Sequence, residues 1–249
     1  MNQLKILGVK IDNLSKKEII VKIEDFLNED KLHQIATVNP EIILKAKEDG
    51  VLFNILNNAD LCLADGTGIR FAFWRFGRHL RTRMTGIDLM WKILEIANEK
   101  KLSVLLVANK GGLSTWQETR EAILKVYPDI KISGVGVDPS AGHFDRSTEL
   151  ASLNIKEGHT TFDILFCNFG APYQEKFIAS LNRWSSWARL AVGVGGSFDF
   201  ITGKIMRAPK IMRIFGFEWS WRFLQEPRYR AKRILKAVII FPLRVLLNK

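Results

Sequence analysis

Asp65 closes a short apolar run, LCLAD, and Gly66-Thr67-Gly68 follows it. A carboxylate at the end of a buried strand loses part of its hydration, which raises its proton affinity and suits it to general-base work. The same side chain could instead cap the turn after it, and the residues alone leave both roles open. Asp88, in TGID, also follows a glycine and opens a helix, and there capping is the favoured role. Thr37 and Asn39, in ATVNPE, share the duality. Asn39 reads as an N-cap with Pro40 at the first helical position, while its side chain edges the space above the preceding strand. GVGGSFD, residues 193–199, ends a strand and starts a short helix. The amides of such a turn, at Gly195 and Gly196, suit a phosphate, although tight turning explains many motifs of this kind equally well.

Other chemistries lack their residues. The dinucleotide fingerprint fails because Phe71 stands where the third glycine is required, and no G-K-[ST] follows a strand. Two cysteines cannot complete a four-cysteine zinc site, and the four histidines, His33, His79, His143 and His159, contain no i,i+4 pair and are expected at the surface. No D-x-D pair is present to hold a divalent cation on a nucleotide diphosphate. No metal and no other cofactor is therefore expected. Neutralising a phosphorylated ligand would fall to helix dipoles and to arginines such as Arg83 and Arg207, for each of which a solvated surface position is the plain alternative.

These residues need a scaffold, and the chain supplies an alternating one. LKILGVKI, HQIATVN, DLCLAD, LSVLLVA, IKISGVGV, FDILFCNF and RLAVGVG read as seven strands. Between them lie helical stretches: one opened by the Ser15–Glu18 capping box, then EIILKAKE, Val51–Asn58, IRFAFWRF and DLMWKILEIANEK. Others follow near Leu113–Val126, Glu149–Ile155 and Tyr173–Asn182. Uniformly apolar strands alternating with helices predict an α/β fold: a Rossmann-like, mostly parallel sheet with helices on both faces. Ligands of such sheets bind beyond the carboxyl ends of the strands, where Thr37, Asn39, Asp65 and the 193–199 turn all fall.

Charge divides the chain of 249 residues and net charge +11. Residues 207–249 carry eleven Lys/Arg, two acids and seven aromatics, whereas residues 1–206 are close to neutral. We therefore expect an α/β core over 1–206 and a basic, amphipathic helical C-terminal appendage over 207–249. Ile234, Ala237, Val238 and Phe241 share one helical face there. So many charges are poor material for a buried core and good material for an anionic membrane surface, so removing 207–249 should leave a folded, inactive core. The longest uncharged run of the tail, Ala237–Leu243, is far short of a membrane span. No signal peptide is seen, and Cys62 and Cys167 read as core residues in a reducing compartment, so a cytoplasmic location is expected.

Taken together, ATVNPEI (36–42), ADGTG (64–68), RMTGIDL (83–89), GAPYQEKFI (170–178), GVGGSFDFITGKIMRAP (193–209) and EWSWRFLQEPRYRAKR (218–233) resemble the WecG/TagA/CpsF glycosyltransferases over almost the whole chain. The resemblance implies inverting, metal-independent transfer of N-acetylmannosamine or a related sugar from a UDP-sugar donor. The implied acceptor is undecaprenyl-diphosphate-linked GlcNAc on the inner face of the membrane, in teichoic acid, capsule or exopolysaccharide synthesis. It makes Asp65 the base, and sets Arg83, Thr37, Asn39 and Gln174 around the cleft. Joined to the turn chemistry, it puts UDP against Gly66, Gly195 and Gly196, with Asp199 near the ribose hydroxyls. Arg83, Arg207, Arg213, Arg222 and Arg230 then neutralise the diphosphate. Tyr173 and Phe177 depart from the family's commoner residues, and the tail runs about fifteen residues beyond the last motif. The exact sugar, the polymer and the oligomeric state stay open, a homo-oligomer being one alternative. Two rival readings are a nucleic-acid-binding protein, which the lack of any zinc-finger or RRM signature in the basic tail disfavours, and a nucleotide-dependent oxidoreductase. No nucleic acid is expected as a partner.

Overall fold

The computed structural model describes residues 2–139, 162–181, 188–225 and 227–247. Its centre is a six-stranded sheet in which every pairing is parallel. The strands are β3 (His33–Val38), β4 (Leu61–Ala64), β5 (Ser103–Asn109), β6 (Lys131–Val137), β7 (Phe162–Cys167) and β8 (Ala188–Gly193), in the order β4-β3-β8-β7-β5-β6. Neighbouring residues along each strand enter opposite layers, as the two-residue period of a strand requires. Ile35, Leu61, Leu63, Leu106, Ile164, Phe166 and Val192 face one cluster with helices α1 (Lys16–Asn28) and α5 (Gly86–Lys100). Ala36, Val38, Cys62 and Ala64 face a second cluster with α2 (Pro40–Glu48), α3 (Gly50–Asn58) and α4 (Thr67–Arg75). Leu105, Val107, Leu165 and Cys167 complete that face. Helix α6 (Trp116–Leu124) joins the first layer, and α7 (Tyr173–Leu181) packs on Leu165 and Cys167. The helix expected over 149–155 lies outside the described residues.

One expected strand is a hairpin. LKILGVKI forms β1 (Gln3–Ile6) and β2 (Val9–Asp12), an antiparallel pair outside the parallel sheet, so among the described residues that sheet has six strands rather than seven. Leu7 and Gly8 turn the chain with φ of 48° and 84°, the positive pair that a two-residue hairpin of matching twist needs. The apolar alternation runs unbroken through the turn, which hides it. Ile6, Val9 and Ile11 enter the second cluster.

Local signals are realised closely. Ser15 and Glu18 form the full capping box of α1, and Asn39 Oδ1 accepts the Ile42 N–H at 3.0 Å to cap α2. At α5 the cap is Thr85, whose Oγ1 accepts the Asp88 N–H. Asp88 therefore sits inside the first turn rather than capping it, and its carboxylate is left for other partners. His33 is buried and stacks on Phe26 at 4.1 Å between ring centroids, contrary to its expected surface position. Cys62 and Cys167 are buried free thiols, and burial pushes Cys62 up to about 12.

After β8 comes α8 (Ser197–Ile201), and the tail then runs through α9 (Lys210–Phe215), α10 (Glu218–Gln225) and α11 (Pro227–Leu235), a π-helical turn (Lys236–Ile240) and α12 (Phe241–Leu247). Phe241 and Val245 are fully buried in the second core cluster beside Ile42, Ile69 and Phe73. The expectation that this segment is unsuited to a core fails at these two positions. Here Phe241 and Val245 turn inward onto α4, whereas Val238 of the expected apolar face stays exposed. Arg233 also binds Glu41 at 2.8 Å, where burial opposes ionisation but Arg233 and Lys45 outweigh it and hold the carboxyl below its usual range. Among the described residues no helix is long and apolar enough to cross a membrane.

Candidate functional site

The carboxyl ends of β4, β3 and β8 lie side by side, and the polar residues singled out above converge there. The Asp65 N–H donates to Val38 O at 2.8 Å, which fixes the turn after β4 against the end of β3. Asp65 itself is half-buried and leads directly into α4 through Gly66. Thr37, buried, donates from Oγ1 to Gly193 O at 3.3 Å and so ties β3 to the turn after β8. The segment before α5 is drawn alongside Asp65, because the Met84 N–H donates to Ala64 O at 2.9 Å. Gly86 then packs close against Val194 O and Ser197 Oγ. Three loops thus meet over three strand ends.

Gln174 staples the turn after β8 to the loop that follows β7. Its Oε1 accepts the N–H groups of Gly170 and Gly195, each at 3.0 Å, and its Nε2 donates to Glu175 Oε1 at 2.8 Å. The two backbone donors fix which end of the amide is oxygen, and hence make Nε2 the donor to Glu175. Gly193 must be glycine here, since a Cβ would stand 2.6 Å from Gln174 Nε2. Gln174 is buried, its Oε1 holds two backbone donors, and the Gly195 amide is already taken. Glu175 is buried as well, and burial pushes its carboxyl above the usual range. Its Oε2 has no hydrogen-bond partner among the described residues. In the sequence Glu175 is marked only by being a carboxylate one residue from a cleft glutamine, within an apolar helix face.

A network of ions lines the mouth of the site. Arg83 donates from Nη1 to Glu218 Oε2 at 2.9 Å and from Nη2 to Arg213 O at 3.0 Å. Arg207 grips Asp88 with two contacts, Nη1 to Oδ1 at 2.7 Å and Nη2 to Oδ2 at 2.8 Å, and its Nε lies 3.6 Å from Glu218 Oε1. Burial disfavours the charge of Arg207, but Asp88 and Glu218 more than offset this and raise its proton affinity. Burial likewise works against Asp88, whose carboxyl is nevertheless held below its usual range by Arg207 and Thr85. The guanidinium Nε atoms of Arg207 and Arg213 are buried without hydrogen-bond partners among the described residues, and so is Asp199 Oδ1. Two arginines thus face two carboxylates, Arg213 joins them through its carbonyl, and unsatisfied donors and one unsatisfied acceptor lie at the rim. The tail closes this rim: Thr67 Oγ1 donates to Gly216 O at 3.3 Å, and Gly216, at φ 82°, leaves no room for a side chain against Thr67.

The structure thus gathers Thr37, Asn39, Asp65, Gly66, Arg83, Gln174, Gly195, Gly196, Asp199, Arg207 and Arg213 on one edge of the sheet. Asn39 contributes its oxygen to the α2 cap rather than to the open space. Arg222 and Arg230 belong to α10 and α11, and their side chains lie outside the described residues. Glu218 was counted in the sequence only as one of two acids in a basic tail, yet it links both arginines of the mouth.

The family model described as "Glycosyl transferase WecG/TagA/CpsF family" matches residues 4–249. An N-acetylglucosaminyldiphosphoundecaprenol N-acetyl-beta-D-mannosaminyltransferase of Bacillus subtilis (strain 168) is 33% identical over 201 residues, covering 81% of this chain and 74% of the relative. A protein of the same description from Staphylococcus aureus (strain MRSA252) is 32% identical over 243 residues, covering 95% and 89%.

Proposed function

Because the chain belongs to the WecG/TagA/CpsF family of glycosyltransferases, we propose that it moves N-acetylmannosamine, or a closely related sugar, from a UDP-sugar to undecaprenyl-diphosphate-linked GlcNAc. The transfer inverts the anomeric centre, needs no metal, and belongs to cell-surface polymer synthesis at the inner membrane face. One observation carries the reading: a half-buried carboxylate, Asp65, shares the sheet edge with an arginine-rich mouth, the two joined by the 83–86 segment.

Asp65 takes the proton of the acceptor hydroxyl. That oxygen attacks the anomeric carbon from the face opposite UDP, the bond from carbon to phosphate oxygen breaks, and its electron pair leaves with UDP. A positioned base contributes roughly 10²–10⁴-fold to such a step. The charge that develops on the leaving diphosphate is met by Arg83, Arg207 and Arg213, with Arg222 and Arg230 brought by the tail, so guanidinium groups do what a divalent cation does elsewhere. Asp199 Oδ1, buried and lacking a partner among the described residues, suits a ribose hydroxyl. Thr37 and Gln174 hold the turn at Gly193–Gly196 against which the nucleotide lies. Glu218 occupies Arg83 in this state, so binding of the diphosphate requires it to share or exchange partners.

The tail supplies the membrane contact. Ile211, Ile214, Phe215, Phe217 and Leu224 are exposed beside Lys210 and Arg228, a combination suited to an anionic headgroup layer. A panel of UDP-sugars offered with the lipid-linked acceptor in EDTA identifies the donor. The anomeric configuration of the product by NMR tests inversion, and retained configuration would contradict the single-base mechanism.

A further inference from the structure

Helix α4 starts two residues after Asp65 and runs away from it along the surface. Ile69, Ala72 and Phe73 anchor its inner face in the core. Its outer stripe, Thr67, Arg70, Phe71 and Trp74, has the i, i+3, i+4, i+7 spacing of one helical face. With Gly77–Leu80 this stripe lines an open groove of about 740 Å³. Trp74 is 72% exposed, and its ring lies 5.9 Å from that of Phe71. Arg70 and Arg78 both line the groove. The end nearest Asp65 is bounded by the tail at Gly216, between the exposed rings of Phe215 and Phe217.

Two guanidinium groups set among exposed aromatic rings match an amphiphile that carries phosphate charge next to an apolar chain. A second copy of the chain is a poorer match. Arginines repeated across a two-fold axis would face their own kind, and like charges set against each other disfavour association. We infer that the α4 groove is the acceptor-lipid subsite. Arg70 and Arg78 hold the diphosphate, Phe71 and Trp74 line the first part of the prenyl chain, and the sugar reaches Asp65 once the tail at Gly216 gives way from Thr67. From Thr67 to Trp74 the helix rises roughly 10 Å, which leaves the diphosphate on the groove and the sugar at its end. This assignment rests on the glycosyl-transfer reading given above.

The test uses the full-length chain, UDP-N-acetylmannosamine, and GlcNAc-diphosphate carried either on a long polyprenyl chain or on a short, water-soluble alkyl chain. The pair Arg70→Gln and Arg78→Gln should raise the acceptor KM at least ~tenfold for both acceptors while calorimetric UDP binding stays within ~twofold. Trp74→Ala should raise the long-chain KM several-fold more than the short-chain KM. Unchanged acceptor KM in the arginine variant overturns the assignment. So does a parallel loss of UDP binding, which would give the groove to the donor, or an equal response of both acceptors to Trp74→Ala. A shift in sedimentation with acceptor KM intact makes the groove an interface between copies and likewise overturns it. Wild-type protein that transfers to neither acceptor contradicts the glycosyl-transfer reading and takes the groove with it; wild-type turnover with unmoved variants contradicts the groove alone.

Discussion

Arg83, at the end of the loop after α4, and Glu218, at the start of α10, meet at 2.9 Å although 135 residues separate them. The pair is largely shielded from water and joins the loop beside Asp65 to the basic tail. Arg83→Ala should therefore have two effects. UDP binding should weaken by about 1.5–3 kcal/mol, the range of a charge-assisted contact, and the tail should become more open to limited proteolysis. Unchanged UDP affinity by calorimetry would restrict Arg83 to holding the tail.

Asp65→Asn keeps the size and turn-forming capacity of the side chain and removes its basicity. Turnover should fall at least ~100-fold while UDP binding persists. Near-normal turnover in the Asn variant would remove Asp65 from the chemistry.

Glu175 gives a pH signature in stability. Its carboxyl is raised by burial, so the folded protein holds this proton at pH values where the unfolded chain releases it. Its contribution is complete below the ordinary value of 4.5 and is lost as pH rises toward the raised folded value. Glu175→Gln keeps an acceptor for Gln174 Nε2 and cannot ionise. The variant should match wild type in Tm near pH 4 and exceed it increasingly at higher pH. Parallel Tm curves across that range would show that Glu175 does not carry the proton.

Phe241 places the end of the tail inside the core. Phe241→Ala should cost about 3–5 kcal/mol, measured by denaturant unfolding, because a fully buried ring leaves a cavity. Truncation before Arg207 should remove transferase activity and, through the same contacts, lower the Tm of what remains. A truncated core as stable as the full chain would mean that α12 is only laid on the surface.

Full-length protein should bind anionic liposomes, and binding should weaken as salt rises, since each surface Lys or Arg contributes on the order of 1 kcal/mol and is screened within a Debye length. Salt-insensitive binding would assign the attachment to the exposed apolar side chains alone.

What could be read from the sequence is what depends on neighbours in the chain. The Ser15–Glu18 box, the Asn39 cap and the position of Asp65 after a buried strand are local patterns, and all appear where the residues put them. Strand alternation likewise gave the layered sheet. The hairpin at Leu7-Gly8 escaped because a turn dominated by backbone torsion left the apolar pattern intact. The Gln174–Glu175 pair and the Arg83–Glu218 link escaped for a different reason. Their geometry depends on which loops the sheet order brings together, and burial rather than residue type sets the proton affinity of Glu175. Phe241 belongs to an amphipathic stripe in the sequence, and such spacing does not say whether a helix faces lipid or its own core.

The most direct measurement is transfer itself. Full-length protein is incubated with UDP-N-acetylmannosamine and polyprenyl-diphosphate-linked GlcNAc in EDTA, and the lipid product is weighed by mass spectrometry. Wild type should give an acceptor heavier by one N-acetylhexosamine residue, a product nearly absent with Asp65→Asn. An acceptor of unchanged mass with every UDP-sugar, from protein that is folded and binds membranes, would contradict it.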